Sequence, residues 1–237
     1  MRDLLKRNRL QINKDLSTCE VRKYFSPSCY SDSIVVFSAL RANLKGKCID
    51  IGCGDMPYRS QIEKQLMRYD SLDIERRAPG VTYVADVQDM SIIENDTYDS
   101  ALCLEVLEHV PNPFKAISEI HRILKRNARL VCSVPHLSRL HEEPHDYFRY
   151  TKHGLRYLFE NAGFRIISIE PTGGIFCFLG HQFSTLLIVP IWHIPILKNI
   201  GFFINKWFVL RIFYIADKFF DRDKLFALGY SCVVEKL

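Results

Sequence analysis

Segment 48–55 of this chain, Cys-Ile-Asp-Ile-Gly-Cys-Gly-Asp, restricts the possible folds more than any other part of the sequence. Its first four residues predict a short buried strand that includes Asp50. Gly52 and Gly54 then let the backbone turn sharply and bring bare N–H groups near a ligand, at the start of a following helix. Pro57 replaces the third glycine of the dinucleotide-binding pattern, so the full Gly-x-Gly-x-x-Gly sequence is absent. The segment alone is consistent with a nucleotide-like ligand or with an ordinary tight turn.

Acidic residues also follow the next predicted strands of the chain. Asp73 and Glu75 close one strand, and Asp86 directly follows another. An acid at the end of a single strand is commonly a turn former or a helix cap. Repetition at successive strand ends favours ligand binding instead, because ligands of parallel α/β sheets lie beyond the carboxyl ends of the strands. Either Asp73 or Glu75 is placed to accept hydrogen bonds from a ribose. The predicted strands after the first span residues 68–75, 81–85, 98–104, 128–134, 165–170 and 230–235.

Together these motifs resemble the class I S-adenosylmethionine-dependent methyltransferases, of the type 11-like group, over roughly residues 30–170 and the last predicted strand. The resemblance implies an α/β, Rossmann-like fold with a seven-stranded, mostly parallel sheet, helices on both faces and an antiparallel last strand. It implies S-adenosylmethionine as the cofactor, with the ribose on Asp73 and the adenine amino group on Asp86. Asn127 and Ala128 stand where the family has a glycine pair, which affects a turn. The implied cofactor-binding residues are Asp50, Gly52, Gly54, Asp73, Asp86 and Leu104.

Acids and histidines cluster after the fourth predicted strand. If a helix begins there, Glu105, Glu108 and His109 stand at i, i+3 and i+4 and project to one side. With His145 they are the predicted ligands of Mg²⁺ or Mn²⁺, since carboxylate oxygens suit hard divalent cations. A Glu-x-x-Glu-His sequence with a later His is similar to that of metal-dependent O-methyltransferases, including those that methylate a 2′-hydroxyl of RNA. Without a metal, Glu105, His109 or His145 is the predicted general base, because histidine titrates near neutral pH. Two further histidines of this stretch are His136 and His141.

Three regions are expected along the chain: a helical lead-in over residues 1–45, a methyltransferase domain over 46–237, and within it an apolar helical insertion over 171–228. Prolines and basic residues interrupt the apolar runs of the insertion, which fall short of the ~20 residues of a membrane-spanning helix. Lys and Arg interspersed with Trp and Phe favour helices that lie in a membrane interface. A lid over the substrate or a dimer contact is equally consistent with the pattern.

Composition limits the compartment and the partners. Eight cysteines without a Cys-x-x-Cys pair predict a reduced, cytoplasmic protein. If the helices of the insertion lie in a membrane interface, the expected location is peripheral, at the inner face of the membrane. A net charge of +5 is too small to indicate a nucleic-acid surface. The sequence therefore predicts O-methylation of an apolar or lipid-linked small-molecule or glycan acceptor. The alternatives are a metal-dependent RNA 2′-O-methyltransferase and a non-catalytic cofactor-binding module, and the oligomeric state stays open.

Overall fold

The computed structural model describes residues 2–237, which divide into two compact units. Val36–Pro171 and Gly229–Leu237 form the first, which we call the sheet unit. The residues up to Val35 and Thr172–Leu228 form the second, which we call the helical unit.

The sheet unit is built on one sheet of seven strands in the order β3-β2-β1-β4-β5-β7-β6. Neighbours among β1 to β5 pair in parallel, and β7 pairs with β5 in the antiparallel sense. The predicted Rossmann-like sheet with its antiparallel last strand is therefore confirmed. The strands are β1 (Lys47–Ile51), β2 (Arg68–Asp73), β3 (Tyr83–Val84), β4 (Tyr98–Leu104), β5 (Leu124–Pro135), β6 (Phe164–Thr172) and β7 (Gly229–Lys236).

Nine α-helices accompany the strands within residues 2–237, and short 3₁₀ turns lie at Lys23–Phe25, Glu63–Gln65, Leu107–His109 and Val189–Ile191. A π-helical turn, Asn205–Val209, joins the last two helices. The helices are α1 (Arg2–Asp15), α2 (Cys19–Arg22), α3 (Pro27–Asn43), α4 (Arg59–Ile62), α5 (Pro113–Ile123), α6 (Lys152–Asn161), α7 (Ile175–Ile188), α8 (Pro195–Ile204) and α9 (Leu210–Phe220).

Alternate residues of the central strands enter two separate cores, as the period of two along a strand requires. Ile49 and Ala101 pack in the core that contains the apolar residues of α5 and α6. Their neighbours Cys48 and Leu102 pack in the other core, with Leu40 of α3 and with α4. The helices of the sheet unit thus cover both faces of the sheet.

Local sequence explains where the elements near the site begin. Asn112 caps α5 by accepting a hydrogen bond from the backbone N–H of Lys115 at 3.1 Å, and Thr151 caps α6 in the same way. Strand β5 begins at Leu124, four residues earlier than predicted, because the chain passes from α5 into the strand without an intervening loop. Asn127 has a φ of 62°, so this asparagine adopts the left-handed conformation expected of the family's glycine.

The helical unit is held by an apolar cluster and by buried caps. Ile12 and Trp192 are buried together in that cluster, and the Trp192 indole N–H donates to Asp15 at 2.9 Å. Asp217, which is 1% exposed, accepts hydrogen bonds from two backbone N–H groups of the first turn of α7 and pairs with Lys224. Among residues 2–237, no helix is long and apolar enough to cross a membrane.

Candidate functional site

The glycine turn after β1 brings two backbone N–H groups to β2. The Gly52 N–H donates to the carbonyl of Leu72 at 2.8 Å, and the Gly54 N–H donates to Oδ2 of Asp73 at 2.8 Å. Both glycines have positive φ, 68° and 49°. A Cβ on Gly52 would lie 2.3 Å from Cγ2 of Val106, whereas a Cβ on Gly54 would project into open space. The first glycine therefore serves packing, and the second leaves room beside its backbone.

The helix predicted to follow this turn directly is displaced along the chain. Met56 has a φ of 53°, and α4 begins only at Arg59 and is four residues long. Pro57 lies in the intervening turn. The glycine turn therefore does not lead directly into a helix, and the predicted helix N-terminus at the glycines is wrong.

Asp73 lies at the carboxyl end of β2 and is 5% exposed. Its Oδ1 accepts the backbone N–H of Glu75 at 3.3 Å, while its Oδ2 holds Gly54. The Glu75 side chain is exposed and pairs with Arg77 at 2.9 Å. The sequence left these two acids as alternatives for the ribose, and it is Asp73 that stands against the glycine turn.

Asp50 and Asp73 are two buried carboxylates behind the turn. The Tyr69 hydroxyl donates to Oδ2 of Asp50 at 2.5 Å. Burial raises the pKa of Asp50 to about 7, against the lowering by the Tyr69 hydrogen bond and with a further rise from the charge of Asp73. Asp50 is consequently a group that changes its charge near neutral pH and that a nearby cation would ionise.

Asp86 and Leu104 complete the residues implied for cofactor binding. Asp86 follows β3 and accepts hydrogen bonds from the backbone N–H of Gln88 at 2.8 Å and from the Gln88 side chain. Leu104 is half-buried at the carboxyl end of β4, the strand that pairs with β1. The six residues implied for the cofactor therefore lie at or just after the carboxyl ends of β1, β2, β3 and β4.

The chain after β4 does not form the helix that would align Glu105 with Glu108 and His109. Glu105 has a φ of 55°, and a 3₁₀ turn begins only at Leu107. The exposed Glu105 carboxylate instead accepts a hydrogen bond from the Ser133 hydroxyl of β5 at 2.9 Å. The i, i+3, i+4 arrangement expected from the sequence is wrong because its first residue precedes the turn.

Glu108 is brought together with His109 and His141. The Nε2 atoms of the two histidines lie 3.6 Å and 3.8 Å from Oε1 of Glu108, and the two rings pack edge to face. One ligating atom from each of the three residues lies within 4.8 Å of the other two. The neighbouring Glu108 carboxylate raises the pKa of His141, against the effect of burial.

His145, a predicted ligand, contributes its backbone to this arrangement. Its carbonyl oxygen lies 2.6 Å from Nδ1 of His109, and its own exposed ring contacts the Tyr147 hydroxyl at 3.0 Å. The group of three therefore contains His141 in place of the predicted Glu105 and His145. His141 lies in a loop without periodicity, so no sequence pattern distinguishes it from the other histidines nearby.

Comparison with known proteins places this chain in a family. Residues 23–169 match the family model of the methyltransferase domain. No curated protein matches the chain in sequence. A SAM-dependent methyltransferase from Archaeoglobus fulgidus superposes with a TM-score of 0.57 at 15% identity, over 89% of this chain and 95% of that chain. One from Mesorhizobium loti gives 0.56 at 15% identity, over 87% and 100%. The [4+2]-cyclase SpnF gives 0.56 at 14% identity, over 88% and 80%.

The chain belongs to the methyltransferase-domain family, and its fold is the class I fold of S-adenosylmethionine-dependent methyltransferases. The family follows from the match over residues 23–169, and the seven-stranded sheet with its antiparallel last strand agrees with the fold of the superposed structures.

Proposed function

We propose that this protein binds S-adenosylmethionine at the glycine turn and transfers its methyl group to a hydroxyl oxygen of an apolar or lipid-linked acceptor. The observation that carries the proposal is the pairing of Gly54 with Asp73 beside open space. Each oxygen of the Asp73 carboxylate accepts one backbone N–H, and the further lone pair on each oxygen can accept a hydrogen bond from a ribose hydroxyl. The names of the structural relatives from Archaeoglobus and Mesorhizobium support the choice of cofactor.

The chemistry requires one bond to form as another breaks. The acceptor oxygen attacks the methyl carbon in line with the sulfonium, the carbon–sulfur bond breaks, and the sulfur leaves as the neutral thioether of S-adenosylhomocysteine. The hydroxyl proton passes to a base. Holding the two reactants in line supplies much of the rate, since the sulfonium is already a strong electrophile.

Glu105 and His145 are the residues that we propose as proton acceptors. Both side chains are exposed and follow β4 and β5, which lie beside β1 in the sheet. Glu105 also holds a positive φ that costs a non-glycine residue about 1 kcal/mol, a strain common at functional positions. The sequence also made His109 a candidate base. Its ring is half-buried, and its Nδ1 contacts the His145 carbonyl oxygen at 2.6 Å, which favours the two exposed side chains.

The proposed acceptor class rests on the surface of the helical unit. Helices α7, α8 and α9 each carry exposed apolar side chains spaced three or four residues apart. Helix α9 also carries two exposed basic residues, Arg211 and Lys218. Arg211 lies over the ring of Trp207, and Lys218 lies over the ring of Tyr214. Apolar rows with aromatic and basic residues at their border are typical of helices that bind an anionic membrane surface. The rows are Leu179, Phe183 and Leu186; Ile196, Ile200 and Phe203; and Ile212, Ile215 and Phe219.

Flotation with vesicles tests the membrane part of the proposal. We expect the protein to float with vesicles rich in phosphatidylglycerol, and the double variant Ile212→Glu/Ile215→Glu to remain at the bottom of the gradient. Ile92→Glu is the matched control, because Ile92 is an equally exposed isoleucine of the sheet unit, at 57% against 63% for Ile212. A wild-type protein that does not float, or a double variant that still floats, would refute the membrane contact.

Methyl transfer itself is measured with radiolabelled S-adenosylmethionine and a lipid extract that contains polyprenyl-linked glycans. We expect label in the lipid phase, recovered in a bond that resists mild base as a methyl ether does. Turnover that puts the label only into RNA would replace the proposed acceptor by the alternative one.

A further inference from the structure

We infer that Glu108, His109 and His141 form a binding site for a divalent transition-metal cation such as Zn²⁺, Fe²⁺ or Co²⁺. The site differs from the one that the sequence suggests. It contains two imidazole nitrogens and one carboxylate instead of two carboxylates and two imidazoles. Nitrogen-rich donor sets favour these borderline cations over Mg²⁺.

The buried carboxylate of Glu108 is the first observation. The side chain is fully buried, and neither of its oxygens accepts a hydrogen bond from any residue of 2–237. Burial of a carboxylate without a hydrogen bond or a cation is strongly unfavourable. The two histidine Nε2 atoms lie 3.6 Å and 3.8 Å from Oε1 of Glu108, which is too long for a hydrogen bond. A cation between these atoms would provide the missing interaction.

The protonation of the His109 imidazole is the second observation. Nδ1 of His109 lies 2.6 Å from the His145 carbonyl oxygen, which only accepts, so Nδ1 carries the proton. In the neutral His109 ring Nε2 therefore has the lone pair, and it lies 3.6 Å from Oε1 of Glu108. Nδ1 of His141 lies between the Arg139 carbonyl oxygen, a carboxylate oxygen of Asp146 and a guanidinium nitrogen of Arg149, at 3.4–3.5 Å, and its Nε2 lies 3.8 Å from the same Glu108 oxygen. A carboxylate oxygen and two imidazole nitrogens within 4.8 Å of one another are ligand atoms that one metal ion can join.

The residues around the histidines hold the site in place. Asp146 is fixed by two hydrogen bonds from Arg149, at 2.6 Å and 2.7 Å, and accepts the backbone N–H of His141 at 2.9 Å. The backbone carbonyl of Glu108 accepts the N–H groups of Tyr147 at 2.8 Å and of Phe148 at 3.2 Å. A carboxylate or carbonyl behind each ligating imidazole is the usual outer support of a metal site. The loop that carries His141 is therefore fixed to the turn after β4.

Three protein ligands leave coordination positions for a further oxygen ligand. A hydroxyl bound there would lose its proton more readily and become the better nucleophile for the methyl group. The turn that carries the site follows β4, which pairs with β1 and its glycine turn. This role of the cation rests on the proposed methyl transfer, whereas the binding site itself does not.

The test is a titration of the full-length, metal-free protein with Co²⁺, followed by its d–d absorption, with Zn²⁺ calorimetry as the second probe. We expect one Co²⁺ per chain in the wild type and binding at least 10-fold weaker in His141→Ala and in Glu108→Gln. The controls are Glu105→Gln and His145→Ala, which should both retain Co²⁺ binding. Glu105 is not one of the three ligating residues, and His145 contacts His109 through its backbone carbonyl, which the substitution leaves unchanged. Circular dichroism establishes that each variant is folded, and His141→Asn replaces His141→Ala if the latter does not fold.

Three results would overturn the site: a wild-type protein that binds neither cation, His141 variants that bind Co²⁺ like the wild type, or loss of binding in His145→Ala. A titration of the same samples with S-adenosylhomocysteine separates this inference from the proposed function. Cofactor binding without Co²⁺ binding would refute the metal site alone, and Co²⁺ binding without cofactor binding would refute the methyl transfer alone.

Discussion

The two glycines of the turn after β1 give a matched pair of substitutions with different expected effects. Gly52→Ala places a Cβ 2.3 Å from Cγ2 of Val106, where carbon atoms normally approach to about 3.5–4.0 Å. The side chains must move by more than ~1 Å, which costs about 1–3 kcal/mol, and the positive φ adds about 1–2 kcal/mol. We therefore expect Gly52→Ala to lower the free energy of unfolding by about 2–5 kcal/mol, measured by urea denaturation.

Gly54→Ala is expected to lower the stability only by the conformational cost of about 1–2 kcal/mol, because its Cβ meets no atom within 4 Å. Gly80→Ala is the control, since Gly80 also has a positive φ and its Cβ would make an ordinary contact at 3.6 Å. The new methyl of Gly54→Ala occupies the space that we assign to the cofactor. We expect its affinity for S-adenosylhomocysteine to fall at least 10-fold, with that of Gly80→Ala unchanged.

A double-mutant cycle separates the collision from the backbone strain. Val106→Ala removes the γ carbons that Gly52→Ala would strike, so the two substitutions together should be about 1–3 kcal/mol less destabilising than their sum. Additive effects would refute the packing role of Gly52. Unchanged cofactor affinity in Gly54→Ala would refute the claim that the cofactor lies against this backbone.

Three further substitutions test the electrostatics, the base and the turn before β5. In Asp50→Asn the free energy of unfolding should rise relative to the wild type by about 2–4 kcal/mol at pH 8 and by little near pH 4. The sign follows because native Asp50, with a pKa of about 7, binds a proton between pH ~4 and 7 that the unfolded chain has released, so the wild type loses stability as the pH rises through that window. Urea denaturation measures both proteins at the two pH values. If the difference in free energy of unfolding between Asp50→Asn and the wild type were the same at both, the argument from a buried Asp50 charge would be contradicted. Glu105→Gln should lower the rate of methyl transfer by about 10²-fold or more with S-adenosylhomocysteine affinity intact, and an unchanged rate would exclude Glu105 as the base. Asn127→Val should unfold at a lower urea concentration than Asn127→Gly, because a β-branched residue strongly resists a φ of 62°; equal midpoints would argue against the left-handed conformation.

The parts of the fold that the sequence predicts are those in which local chemistry decides the conformation. The glycines, the strand-end acids and the alternation of strands and helices predict the glycine turn after β1 and the position of Asp73 at the end of β2, and β4 has the predicted bounds, Tyr98–Leu104. The helix predicted directly after the glycines begins later, at Arg59, because Met56 has a positive φ that no local sequence pattern predicts.

The position of His141 depends on contacts that are not local. The loop reaches Glu108 through backbone hydrogen bonds from Tyr147 and Phe148 and through the Arg149–Asp146 pair. Nothing in the spacing of the histidines distinguishes His141 from His145 before these contacts are known. The same holds for the helical unit, in which Ile12 packs with Trp192, 180 residues later in the chain.

The central claim is that the turn after β1 and Asp73 bind the cofactor, and calorimetric titration with S-adenosylhomocysteine tests it most directly. Loss of a charged hydrogen-bond acceptor is worth about 1.5–3 kcal/mol, so Asp73→Ala should bind at least 10-fold more weakly than the wild type. Glu75→Ala is the control and should bind normally, because the exposed Glu75 pairs with Arg77. Wild-type binding that is weakened by Asp73→Ala alone is the predicted result. A wild-type protein that does not bind, or an Asp73→Ala variant that binds as well as the wild type, would contradict the account.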